Sequence, residues 1–390
     1  MKKTKLKMLT TLCILSISML VPVNASAQTV THINPLTLNI KATNNFNKSD
    51  QEKIKIAITK YFDNELQSIK NAKPILSDSI INDVNLKKYD QAKNKYYAEW
   101  YKRLNIKLVD YTLYIDFDSI EQTNDSVTVK LTKGSDMIFD VAPDIIQKAR
   151  NDKYAFKVQK SNGEWQILDI ITPEDNTTSA EENKTLLTTA KSFSNTDHYD
   201  NLIKQFDNID ANINMYKNNC TGNKSNNKSI MLTSSSQNYS TAIAYARQWA
   251  NSYNSSYPQL DEDCTNFVSQ CLEHGGIAQT SNWYCKMFPD PRGPQFNYSR
   301  SWSCVIEFHD TIIGNGVGHE TTASGVGRGD IIQLYNAGKS TWSHSVIVTS
   351  FDTYGTIYYC GHTSPRLDYG LYNVYPSSTY SNIRYIGINY

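Results

Sequence analysis

Apolar residues recur at helical spacing from Ser49 onward: Ile54, Ile58, Tyr61, Phe62, Leu66 and Ile69 fall on one stripe, and Ser49 with Glu52 has the spacing of a capping box. The pattern predicts a first helix there. A second is predicted over about Lys87 to Leu104, with Tyr89, Ala92, Tyr96 and Trp100 near one face. The period then drops to two. Val109, Tyr111, Leu113, Ile115 and Phe117 alternate, as do Val127, Val129 and Leu131, then Tyr154, Phe156 and Val158 before an Asn162-Gly163 turn into Trp165 and Ile167. Helices followed by antiparallel strands predict an α+β fold.

This order resembles the cone-shaped folds of the nuclear transport factor 2 type, in which helices cover a curved antiparallel sheet. Thr172 to Asn183 is polar and reads as a linker. Apolar positions from Lys184 to Lys217 predict one or two amphipathic helices, and Thr221 to Gln237, rich in Ser and Asn, reads as a second linker. The resulting division is a signal peptide over 1–27, an N-terminal α+β domain over 35–172, a linker with a helical segment over 173–236 and a catalytic domain over 237–390. A chain of 390 residues exceeds the usual reach of one core, which agrees with two domains.

Four lysines ahead of the apolar run Met8 to Val21, then Ala25-Ser26-Ala27, have the form of a secretory signal cleaved near Ala27. The run is too short to span a bilayer, so stable membrane insertion is not expected. A secreted chain, extracellular or associated with the cell wall, follows. Removing those four lysines leaves 35 basic against 38 acidic residues, a net charge of −3, which gives nucleic acid no basic surface to bind. Nothing speaks for oligomeric state. Six cysteines remain in an oxidising compartment, so each is weighed between cystine and catalysis.

Cys264 stands at the start of a helix whose stripe is Phe267, Val268, Cys271 and Leu272, ending at Gly275-Gly276. Helix-start N–H groups and the dipole favour an anion there, predicting a lowered thiol pKa and donors for an oxyanion. A thiolate needs an imidazole to complete the pair. His344 opens the strand that follows Ile331 to Tyr335 and the Gly338 turn, and it heads a row with Val346 and Val348. A third polar group orients such a base. His362, after the strand Thr356 to Cys360, is the first choice, with Asp368 and Asn336 as alternatives.

These residues resemble the putative amidase domain family of secreted bacterial proteins, a branch of the papain-like cysteine hydrolases. The likeness covers about Tyr239 to Tyr390. It rests on the helix Tyr239 to Tyr253, the run Asp263 to Gln270, Gly329-Asp330-Ile331-Ile332-Gln333-Leu334-Tyr335-Asn336, Trp342-Ser343-His344-Ser345 and His362-Thr363. It implies Cys264 as nucleophile, His344 as base, His362 as the third member, and peptide or peptidoglycan amides as substrate. No cofactor or metal is implied.

Asp263 is expected to cap the helix, with an auxiliary role as a second reading, and Tyr257 is a candidate oxyanion donor. Cys285 with Cys304 is the favoured disulfide. His274 is read as a helix C-terminal cation, while Trp283, Tyr284, Trp302 and Trp342 line either a cleft or the core. The expected function is a secreted cysteine amidase or peptidase; the alternative is a non-catalytic wall-binding or ligand-binding module that keeps the pocket.

Overall fold

The computed structural model describes residues 32–34, 41–42, 48–123, 126–171, 196–221 and 234–390. The signal segment, the first linker and most of the second lie outside these residues. The fold is mixed α+β, with eight helices and a large, mainly antiparallel sheet among the described residues.

Helix α1 (Lys48–Lys70) begins one residue before the predicted capping Ser49, and Glu52 there accepts a hydrogen bond from Lys55 rather than closing a capping box. Its stripe is as predicted: Ile54, Ile58, Tyr61, Phe62, Leu66 and Ile69 are all buried. Helix α2 (Val84–Leu104) starts three residues earlier than predicted because Asp83 caps it, accepting from the Leu86 N–H at 2.7 Å. Both helices cover the sheet of β3 (Leu108–Thr123), β4 (Ser126–Phe139), β5 (Gln147–Ser161) and β6 (Glu164–Ile171), which pair antiparallel in sequence order. Two short strands, β1 (His32–Asn34) and β2 (Lys41–Ala42), run parallel to β3. The predicted helical segment continues as two helices, α3 (Thr196–Asp207) and α4 (Ile209–Cys220).

The C-terminal part places α5 (Ser234–Trp249), α6 (Cys264–His274), α7 (Arg300–Ser303) and α8 (Val305–Gly314) around a second run of strands. A separate hairpin joins β7 (Cys285–Phe288) to β8 (Gln295–Tyr298). The main strands are β9 (Gly318–Thr321), β10 (Ile331–Asn336), β11 (Thr341–Phe351), β12 (Ile357–Gly361), β13 (Arg366–Gly370) and β14 (Tyr380–Ile388). They lie in the order β13, β12, β11, β10, β14, β9.

The sheet does not stop between the two expected domains. Strand β13 pairs antiparallel with β5, Arg366 opposite Ala149 and Leu367 opposite Lys148, so one sheet of twelve strands crosses from the first region to the second. Side chains reinforce this seam. Gln147 Oε1 accepts from the Gly370 N–H and from Asn373 Nδ2, each at 2.9 Å, its amide nitrogen donates to the Tyr372 hydroxyl, and Trp100 Nε1 donates to the Tyr372 carbonyl at 3.1 Å. Aromatic rings fill the space beneath: Tyr372 meets Tyr101, Phe139 and Tyr216 edge-on, with centroids 5.5–6.5 Å apart.

Two apolar cores result. One runs from α1 and α2 through the seam to Ile332, Leu334, Val346 and Val348 on one face of the C-terminal sheet. The other packs α5, α6 and α8 on the opposite face, through Ile331, Ile347 and Ile386. Period-two alternation along β10 and β11 therefore serves two different cores, one per face.

We expect Gln147→Leu to lower stability by about 2–4 kcal/mol, because it strands Gly370 N–H, Asn373 and Tyr372 without partners. Tryptophan fluorescence and far-ultraviolet circular dichroism should report one shared denaturant transition in wild type and variant. Two separate transitions would mean that the seam does not couple the halves.

Candidate active site

Helix α6 was expected to show one apolar stripe, yet every residue from Cys264 to Leu272 is buried. Its polar side chains are therefore obliged to find partners. Thr265 Oγ1 meets Ser345 Oγ at 3.0 Å, and Gln333 Nε2 reaches the same Ser345 hydroxyl at 3.1 Å. Asn266 donates to the Pro258 carbonyl and to Asp263, both at 2.7 Å, and accepts from Trp302 Nε1 at 2.7 Å. Gln270 accepts from the Tyr245 hydroxyl at 2.7 Å. These bonds fix the start of α6 against β11.

Cys264 is a free thiol, 4% exposed. Its Sγ lies 3.9 Å from the Ser343 carbonyl oxygen and 3.8 Å from Thr265 Oγ1. Ser343 immediately precedes His344, and a bulge falls at this point of the pairing between β10 and β11. The sulfur thus rests against the strand that carries the predicted base. His344 itself pairs across with Leu334 and turns to the other side of the strand, where its ring stacks on Tyr380 with centroids 6.0 Å apart. A side-chain carbon on Gly361 would come within 2.9 Å of Val346 Cγ1 and 3.8 Å of His344 Nε2, so it is the packing against Val346, on the same side as the ring, that calls for glycine there. Among the described residues no hydrogen bond joins the ring to Sγ; the contact expected between the two is a shared stretch of backbone.

Several expectations are corrected. Burial pushes the Cys264 thiol above its ordinary value and the neighbouring Asp263 carboxylate adds to the effect, outweighing the hydrogen bonds from the Ser345 backbone and from Thr265. The predicted lowering at a helix start fails because the desolvation of a fully enclosed sulfur exceeds what a helix terminus supplies. His344 moves the other way: burial, with a smaller contribution from the Arg366 charge, lowers it to about 4. At neutral pH the pair is thiol and neutral imidazole.

His362 does not orient His344. Its Nδ1 meets Asp263 Oδ2 at 2.6 Å and its Nε2 donates to the Trp249 carbonyl at 2.8 Å, while its ring stacks on Phe267. The two other candidates are engaged elsewhere as well: Asp368 accepts from Arg247, and Asn336 accepts from the Lys339 N–H. Asp263, wholly buried, makes no side-chain cap to α6. It accepts instead from Leu260 N–H, Asn266 and His362, tying the loop before α6 to the end of β12. Tyr257 is not an oxyanion donor here, since its hydroxyl donates to Glu273 at 2.8 Å and its ring stacks on Trp302. Cys285 and Cys304 are unpaired thiols. His274 is stacked on Tyr245 at 3.9 Å, and burial lowers rather than raises its pKa. Trp283 and Trp302 are core residues with no exposed surface.

One residue escaped the sequence reading. Thr363, quoted there only as the neighbour of His362, has φ of +74° and accepts with Oγ1 from the N–H groups of both Asp263, at 3.0 Å, and Cys264, at 3.1 Å. The backbone donors expected to await an oxyanion are occupied by this hydroxyl. A β-branched residue with positive φ is unusual, and nothing in one-dimensional periodicity marks it.

Residues 236–385 match the family described as Putative amidase domain, the family that the ordered motifs resemble. That description suggests an amidase-like hydrolase. A relative from Bacillus subtilis (strain 168), the uncharacterized protein YhbB, is 27% identical over 121 residues, which is 28% of this chain and 36% of its own. The matched stretch thus spans about a third of that relative's length. Among solved structures, the intermembrane space region of the chloroplast protein ARC6 aligns with a TM-score of 0.24 and 14% identity, over 32% of this chain and 95% of its own. A superposition that loose carries no argument.

Because His344 is neutral in the folded chain, its contribution to stability is present above pH 6.5 and is lost as the pH falls through about 4. Wild type should lose roughly 3 kcal/mol more than His344→Gln between pH 7 and pH 4 in denaturant titrations. A constant difference between the two proteins would contradict the buried, neutral ring. The raised thiol makes a second expectation: iodoacetamide should label Cys264 more slowly at pH 7 than it labels glutathione, with a rate that climbs about tenfold per pH unit toward alkaline pH. A labelling rate already level below pH 7 would show a resting thiolate instead.

Proposed function

We propose that this chain is a secreted cysteine-dependent amide hydrolase of papain-like architecture, acting on peptide amides of the cell wall through Cys264 and His344. The observation that carries the reading is the reduced Cys264, first residue of α6, with Sγ 3.9 Å from the carbonyl of Ser343 beside His344. The family match to 236–385 supports the amidase class.

In the reaction, the His344 ring first has to turn past Ser343 to reach Sγ; the Cys264 S–H proton then passes to that neutral ring as the sulfur bonds to the amide carbonyl carbon. The carbonyl oxygen takes up charge near the Asp263 and Cys264 N–H groups, which requires Thr363 Oγ1 to give way. As the C–N bond breaks, the proton on His344 goes to the departing amine. Water then attacks the thioester with His344 taking its proton, and the thiol is restored with release of the carboxylic acid. Asp263 and His362 are positioning residues that hold the start of α6 against the end of β12. No cofactor or metal enters these steps. Secretion rests on the signal-like segment 1–27. The helices packed on the sheet β3 to β6 support a nuclear transport factor 2-like N-terminal fold.

One observation favours the second reading, a wall-binding module without turnover: the Cys264 N–H is already satisfied by Thr363 and the thiol is raised. Digestion of purified cell walls separates the two. Wild type should release fragments with new amino termini, identified by mass spectrometry, and Cys264→Ala should reduce that release at least a thousandfold. Equal release by both proteins, or by neither, would refute cysteine-dependent hydrolysis of wall peptides.

A further inference from the structure

On the face of β11 that carries His344, a cavity of about 370 Å³ lies between the N-terminal fold and the C-terminal sheet. One wall comes from α1 and α2, including Glu65, Lys93, Tyr97 and Trp100; the other includes His344, Thr363, Arg366 and Tyr380. It exists because β5 pairs with β13, which turns the helix side of the N-terminal fold toward the predicted base. Thr363, in this wall, is the same residue whose hydroxyl holds the Cys264 N–H. The cavity therefore ends one hydrogen bond from the nucleophile's backbone.

The lining is polar in a specific way. Besides histidine, its charged residues are two acids and two bases, joined as Lys93 with Glu65 at 2.8 Å and Arg366 with Asp152 at 2.9 Å. Lys93 also donates to the Tyr61 hydroxyl at 2.7 Å. Burial alone would raise Glu65, but Lys93 and Lys133 hold it down at about 2, so the carboxylate stays charged inside the cavity. A polyanion would meet two fixed carboxylates, and a wholly apolar ligand would leave the ion pairs facing it unsolvated. Each ion pair presents one charge of each sign, so a ligand with one charge of each sign can bridge a pair without leaving either member uncompensated. The volume lies at the small end of the roughly 300–1,000 Å³ range of small-molecule sites, too small for a glycan strand.

We propose that this cavity is a substrate pocket half built by the N-terminal fold, and that it takes a short peptide carrying both a free amino and a free carboxylate end. This rests on the hydrolase reading above for its chemistry, though not for its binding. Asn201 on α3 and Ser378 ahead of β14 are exposed lining residues and mark the mouth.

Calorimetric titration of the full chain carrying Cys264→Ala with trialanine tests it. One equivalent should bind. Acetyl-trialanine-amide, which lacks both charged ends, should bind at least tenfold more weakly, and tripolyphosphate should give no heat of binding. Ser378→Trp and Asn201→Trp, both at exposed positions, should each weaken trialanine at least tenfold without moving the thermal midpoint. Absent binding, equal affinity for the capped peptide, binding of tripolyphosphate instead, or indifference to both tryptophans would overturn the pocket. Trialanine that binds as expected while wild type cuts no peptide would sink the hydrolase reading and keep the pocket; wall cleavage unaffected by either tryptophan would do the reverse.

Discussion

The pairing of β5 with β13 is the constraint on which the rest of the architecture depends. Without it, β13 would be the open edge of the C-terminal sheet, with unpaired N–H and C=O groups facing water or another chain. The N-terminal fold removes that edge by adding its own strand. Buried partners follow from the same contact: Gln147 satisfies Gly370 and Asn373, and Arg366 meets Asp152. The seam thus fixes which surface of the N-terminal helices faces His344.

A second consequence is electrostatic. Arg366 lies at the seam, held by Asp152, and its charge adds to burial in keeping His344 neutral. The N-terminal fold therefore influences the base as well as the space around it. On the other face of the sheet the controlling group is Asp263, enclosed and bound by Leu260 N–H, Asn266 and His362. Removing one partner of such a buried set leaves a charge or donor unsatisfied, which is why these residues act together rather than as separate contacts.

The resting state is closed in a chemical sense. The sulfur is buried and protonated, and the N–H groups suited to an oxyanion are filled by Thr363 Oγ1. Positive φ at this threonine is a local cost that the surrounding hydrogen bonds offset. Its exposure contrasts with the burial of Asp263 and Cys264, whose N–H groups it holds.

Periodicity alone revealed α1, α2, the strands β3 to β6, the helix headed by Cys264 and the strand that carries His344, which begins at Thr341 rather than at the histidine, because side-chain burial repeats every 3.6 or 2 residues wherever one face meets a core. Ordered motifs alone pointed to the putative amidase domain family whose description residues 236–385 match. Tertiary structure decided the partners. That His362 binds Asp263 and Trp249 rather than His344, that Thr363 fills the donors at Cys264, and that the thiol rises instead of falling all depend on groups about a hundred residues apart or on total enclosure. Hydrogen-bond geometry and desolvation are properties of three-dimensional neighbours, and no spacing along the chain encodes them.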